Sequence, residues 1–174
     1  PSPFLSCVID DCMERGIDVT ARGAHYNLSG IQAIQCANVA DSLAALKTLV
    51  YDEKIVGRGE LHKALVTNFE GAELLRLRLL NKAPKYGNDV EWVDAIAFDW
   101  AKKFADRLSQ YTNVRGGPYQ MGLYTVSAHV PMGQNVGATP DGRKAKEPLA
   151  DGGMSPVYGR DSQGPTAVLK SVAR

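Results

Sequence analysis

The sequence predicts an α/β protein: mostly helical through residue 112, with a core strand near residues 123–130 and a long turn-rich segment after it. Three observations carry that reading. Apolar residues recur at helical spacing through the first half. Leu123 to Val130, LYTVSAHV, is rich in strand-forming residues and is stopped by Pro131 and Gly133. From there to Pro165 the chain repeats Gly, Pro and Asp with almost no periodicity.

In chain order, Phe4, Val8 and Cys12 with Leu5, Ile9 and Met13 form two i, i+4 rows, predicting one helix with a wide apolar face that ends at Gly16. Asn38 to Lys54 repeats the pattern through Val39, Leu43, Leu46 and Val50, with Asp41 near its start and Lys54 at its end. Glu60 to Phe69 and Ala72 to Leu80 predict two short helices around Gly71. The longest helix is expected from Asp89 to about Tyr111, with Asn88 as N-cap and Glu91 completing a capping box. Its apolar face takes Trp92, Ile96, Trp100 and Phe104, and tryptophans at that spacing read as core. The stretch between Gly133 and Pro165 exceeds the ~12–15 residues beyond which structureless loops are functional or disordered. Its interspersed Leu, Met, Val and Tyr predict that it is ordered and packed, with Thr166 to Val172 opening a further strand or helix.

Composition narrows the function classes. The 174 residues are 44% hydrophobic and 22% charged, ordinary for a globular chain with a real core. A net charge of +1 and the lack of any dense basic run give no pull towards nucleic acid or an anionic membrane. No apolar run approaches the roughly 20 residues of a bilayer span. The N-terminal PSPFLSCVIDDCMERG lacks a basic leader. Cys7, Cys12 and Cys36 are odd in number and show no CxxC spacing, which disfavours a disulfide framework or zinc site and makes a reducing cytoplasm the default. Both ends run into structured sequence, so the expectation is a single partial domain over residues 1–174, an internal portion of something longer.

Short motifs resolve into bland readings. Gly57-Arg58-Gly59 and the stretch from Gly137 to Lys144 fit neither GxxxxGK[ST] nor GxGxxG in a strand–loop–helix setting. Asp141-Gly142-Arg143 is a turn in which Asp-Gly supplies a local hydrogen bond and a positive φ. His25, His62 and His129 share no ligand spacing, so no metal is expected, and Ser127 has no evident base partner. Cys12 opens a C-x-E element but follows Asp10-Asp11 on an apolar helix face, where a thiol is inert packing. His129, between Ala128 and Val130, is either a core histidine satisfied by backbone or a substrate contact.

Longer phrases are more specific. Gly23-Ala24-His25-Tyr26-Asn27 with Ser29-Gly30 and Gln32, then NVADSLAALK from Asn38, LNKAPKYGND from Leu80, LYTVSAHVPMG from Leu123 and the run from Gly137 to Ser171 resemble, in order, blocks of the glycyl radical enzymes of the pyruvate formate-lyase-like and glycerol dehydratase-like type. Ile31 stands where that family usually has proline, Gln35-Cys36 replaces smaller residues, and Lys146 stands where glycine is common.

The resemblance implies a ten-stranded α/β barrel of two half-barrels wrapped by helices, with a cysteine loop and a glycyl-radical loop meeting inside. This chain resembles the portion between those loops. It contains no Gly-Cys-x-Glu and no Arg-Val-x-Gly followed by an aromatic, so no catalytic residue is assigned to it and it is expected to be inactive alone. The resemblance implies a parent lyase or dehydratase cleaving C–O or C–N bonds of a small polar metabolite of the glycerol, diol, hydroxyproline or choline type. A formate C-acetyltransferase, or a truncated, non-catalytic scaffold, are the other readings. It also implies a radical installed by a separate activating enzyme that uses S-adenosylmethionine and an iron–sulfur centre, a homodimer, and a cytoplasmic or microcompartment location. No cofactor or metal is expected on the chain itself. Ala128 and Val130 match strand positions that line the substrate pocket of the dehydratase-type members, with His129 facing the other side.

Overall fold

The computed structural model describes all residues from Pro1 to Arg174. Its elements are α1 (Pro3–Val8), α2 (Cys12–Arg15), β1 (Ser29–Gln32), α3 (Cys36–Ala45), a π-helical continuation over Leu46–Asp52, α4 (Arg58–Val66), α5 (Glu73–Asn81), α6 (Glu91–Leu108), β2 (Tyr119–Gly122), α7 (His129–Gly133) and α8 (Pro165–Ala173). The chain forms two compact units. One comprises residues 1–32 and 102–122, the other residues 33–101 and 123–174.

In the first unit β1 and β2 pair in parallel, Ser29 opposite Tyr119 and Gln32 opposite Gly122. Buried Asn113 fastens this ribbon. Its Nδ2 donates to the Asn27 carbonyl and to Ser29 Oγ, and its Oδ1 accepts from the amides of Arg115 and Gly117. Gly117 is compelled here, because a Cβ would lie 2.0 Å from the Asn27 carbonyl oxygen. The single helix expected up to Gly16 is broken into α1 and α2 at Asp11, whose φ of 72° no helix accommodates. Phe4 and Val8 are consequently exposed while Cys12, on α2, is buried. Burial pushes the Cys12 thiol up from its ordinary value, and Asp18 and Asp11 add to the rise.

The second unit has two cores. Leu49, Val56, Leu61, Phe69, Leu75 and Leu79 bring together the π-turn, α4 and α5. Ala37, Ala40 and Ala44 of α3 meet Val93 and Ala97 of α6, with Tyr86 and Ala150 alongside. The small α3 side chains allow that close approach. The helix expected from Asn38 is present, but its buried stripe is Ala37, Ala40, Asp41, Ala44 and Ala45, and Val39 is exposed.

Other expectations are corrected. The core strand near 123–130 is absent: the strand is β2, over Tyr119–Gly122. Beyond it Val126 donates to Asp151 and Tyr124 accepts from Gly153, two bonds that hold the segment extended without making a ladder. Ala128 then caps α7, which takes His129 and Val130 into its first turn. Pro131 is tolerated there because first-turn amides have no helical partner. Asn88 does not cap α6. Its Nδ2 donates to the carbonyls of Lys85 and Arg160 and its Oδ1 accepts from Ser162 and Gln163, so it ties the 160–163 loop instead. The face of α6 bearing Trp92, Trp100 and Phe104 is largely exposed, and the helix buries Val93, Asp94 and Ala97.

The turn-rich segment is ordered as expected and ends in α8, a helix. Asp141-Gly142-Arg143 is a turn: Gly142 has φ +95°, and Asp141 Oδ1 accepts from the Arg143 amide. Arg143 Nη1 donates to the Glu147 carbonyl, and Nη2 to those of Val136 and Gly137, so one side chain organises the loop.

Candidate functional site

The second unit carries an open cleft of about 930 Å3. The turn at 139–143 forms part of its floor and is pinned to α3 by Asn38. Asn38 Nδ2 donates to Asp141 Oδ2 at 2.9 Å and its Oδ1 accepts from the Ala150 amide at 2.8 Å. Thr139 Oγ1 also donates to Asp141 Oδ1. Lys85, almost wholly buried, donates from Nζ to the Leu79 carbonyl at 2.7 Å and to the Asp141 carbonyl at 3.4 Å. It thereby satisfies a carbonyl near the end of α5, where a cation also complements the helix dipole. Burial lowers the lysine's pKa, and the carboxylates of Asp41 and Asp141 oppose that shift.

Asp41 is the unusual member of the cleft lining. It lies on α3 within the alanine stripe and is 1% exposed. Oδ1 accepts from the Tyr86 amide at 2.7 Å, whereas Oδ2 has no donor. Desolvation drives its pKa up to about 7, against the pull of Lys85 and of the Tyr86 amide, and neighbouring Asp141 adds to the rise. Arg160 lies across the cleft, near enough to Asp41 to favour its ionised form, but the two make no ion pair.

Of the three residues expected to contact substrate, His129 lines this cleft and Ala128 and Val130 do not. His129 Nδ1 donates to the Val126 carbonyl at 3.0 Å, as the backbone-satisfied reading anticipates, leaving Nε2 as the other hydrogen-bonding position. Ala128 and Val130 stand at the cap and first turn of α7 rather than on alternating strand positions. Asp41, Lys85 and Arg160 were not singled out by motif. The available signal was a carboxylate in an otherwise small apolar stripe, at i+4 from Ala37 and i−3 from Ala44.

In sequence and in backbone the chain is similar to a known class of protein. The description "Pyruvate formate lyase-like" matches residues 1–133, and the chain belongs to that family. It is 45% identical over 180 residues to the probable dehydratase YbiW of Escherichia coli strain K12, aligning 98% of this chain with 22% of that protein. It is 38% identical to the trans-4-hydroxy-L-proline dehydratase of Clostridioides difficile, over 100% of this chain and 22% of the relative. Among solved structures it superposes on the B12-independent glycerol dehydratase of Clostridium butyricum with a TM-score of 0.92 at 46% identity, covering 98% of this chain and 22% of that one. A structure concerned with 1,2-propanediol dehydration in Roseburia inulinivorans gives a TM-score of 0.93 at 47% identity, over 100% of this chain and 23% of that one. The chain thus spans about 22% of the length of the curated relatives it matches. No helix is long and apolar enough to cross a membrane.

Proposed function

We propose that this chain is a structural segment of a glycyl radical lyase or dehydratase acting on a small polar metabolite of the glycerol, diol, hydroxyproline or choline type. The observation that carries this is a match over nearly the whole chain to dehydratases, in sequence and in backbone, at 38–47% identity. Relatives described as dehydratases and sulfite-lyases favour this reading over a formate C-acetyltransferase.

The chain forms part of one larger barrel domain, with β1 and β2 as neighbouring staves. Two features support this: each strand has an unpaired edge, and a two-stranded parallel ribbon is not stable by itself. The exposed tryptophan face of α6 fits burial against further sequence.

No residue of this chain fits the radical or thiol role. Neither a Gly-Cys-x-Glu nor an Arg-Val-x-Gly-aromatic motif is present, and Cys12 is buried beside Asp11 and Asp18. No chemical step is therefore assigned to its side chains. Its work is to shape and seal the chamber in which a radical enzyme excludes water and oxygen. Within it Ala128, Val130 and His129 contact substrate. The parent protein is a cytoplasmic or microcompartment homodimer, activated by a separate iron–sulfur enzyme that uses S-adenosylmethionine.

The test is anaerobic turnover by the activated full-length protein over glycerol, 1,2-propanediol, trans-4-hydroxy-L-proline and choline. Dehydration or C–N cleavage of one of them is expected. Formate production from pyruvate and coenzyme A, with none of these turned over, would overturn the assignment.

A further inference from the structure

We propose that Gly152 is a positioning residue for the substrate wall: through it a strap formed by residues 147–153 sets where residues 128–130 stand in the chamber. This rests on the function proposed above, in which Ala128, His129 and Val130 contact substrate.

Beyond the turn at 139–143 the chain doubles back and runs antiparallel along residues 123–133. The Val126 amide donates to the Asp151 carbonyl at 2.8 Å, the Gly153 amide to the Tyr124 carbonyl at 3.1 Å, and the Leu149 amide to the His129 carbonyl at 3.4 Å. The strap is also held to the start of α3. The Gln35 amide donates to the Gly152 carbonyl at 3.1 Å, and the Ala150 amide to Asn38 Oδ1 at 2.8 Å. It is therefore a spacer between α3 and the wall, and every one of these contacts lies inside one compact unit of the chain.

Glycines set the spacing. A Cβ at Gly133 would lie 2.3 Å from the Glu147 carbonyl oxygen, and one at Gly153 would lie 2.7 Å from Leu123 Cα. Backbone meets backbone at both places, which bracket residues 128–130 in sequence. Gly152, between them on the strap, is the adjustable contact. It is buried and its φ lies outside the left-handed region, so glycine is required there for space alone. A Cβ at Gly152 would lie 2.7 Å from Thr125 Oγ1, 3.0 Å from Ser155 Oγ and 3.2 Å from Thr125 Cα. The two hydroxyls can turn aside, but the Thr125 backbone must give by a few tenths of an ångström. With the strap fixed on α3, the wall is what yields. Ala128 follows Thr125 by three residues, so the pocket it helps to form changes shape.

The test is Gly152→Ala in the full-length protein. After anaerobic activation, the variant is assayed on whichever of glycerol, 1,2-propanediol, trans-4-hydroxy-L-proline and choline the wild type turns over. KM should rise at least about fivefold while kcat stays within about twofold, because a displaced wall loses binding common to substrate and transition state. Adding Thr125→Ala removes the closest overlap and should recover most of the KM change. On the unactivated protein, hydrogen exchange should quicken in peptides covering residues 123–133 and stay unchanged over α4 and α5. An unchanged KM, a loss confined to kcat, a KM change that Thr125→Ala does not relieve, or faster exchange throughout the chain would each overturn the proposal. A wild type that turns over none of the four counts against the dehydratase reading instead, and the exchange pattern then decides whether Gly152 spaces the wall.

Discussion

Replacing Asn38 by alanine probes the joint that holds the turn-rich segment in place. Asn38 is buried and spends both ends of its amide on that segment, at Asp141 Oδ2 and at the Ala150 amide. Truncation strands a buried N–H, at about 1–3 kcal/mol, and removes a hydrogen bond to a charged group, at ~1.5–3 kcal/mol. Asp141 keeps Thr139 and the Arg143 amide, and alanine is the better helix former by roughly 0.5 kcal/mol. The net loss is about 3 kcal/mol. Denaturant unfolding of the full-length protein measures the total, and hydrogen exchange on peptides covering residues 139–150 locates it. A loss under about 1 kcal/mol with unchanged exchange would refute the claim that Asn38 holds the loop to α3.

Three further outcomes follow from the same geometry. Gly117→Ala drives a Cβ to 2.0 Å from the Asn27 carbonyl oxygen, so it should cost about 3 kcal/mol and expose the β1–β2 amides to exchange. Lys146 has φ 69°, so Lys146→Gly should raise stability by about 0.5–1 kcal/mol in denaturant midpoints. Asp41 has a folded pKa raised to about 7, above its unfolded value, so the folded state binds the extra proton between those values. Its contribution is therefore most favourable below about pH 4 and is lost as pH rises through 7, by at most roughly 4 kcal/mol. The stability difference between wild type and Asp41→Asn, measured at pH 5 and pH 8, should shrink in that direction. A flat difference would contradict the buried-carboxyl account.

The helices expected from Asn38 and from Asp89 were legible because apolar residues recur there at helical spacing, although most of those residues are not the buried ones. Their faces were less so. Trp92 and Trp100 announce a core that this chain does not itself close, while the buried stripes are made of alanines that carry little periodic signal. The β1–β2 pair was missed because SGIQ and YQMG are short, and parallel pairing brings together residues some 90 positions apart in the chain. LYTVSAHV looked like the strand because its strand propensity is real. The two backbone bonds to Asp151 and Gly153 hold its first half extended, and Pro131 is accepted in the first turn of α7. Lys146 shows the reverse case. The resemblance puts glycine at this position, and the backbone there is left-handed, at φ 69°. At the cleft the DGR turn was readable from local chemistry. Asp41 and Lys85 become a site only through contacts between α3, α5 and the loop at 139–143.

On the function proposed above, this chain walls a radical chamber and carries no radical itself. Anaerobic electron paramagnetic resonance after treatment with an activating enzyme tests it most directly. The full-length protein should develop a glycyl radical signal, and the 174-residue chain under identical treatment should develop none. A radical on the isolated chain, or none on the full-length protein, would contradict the account.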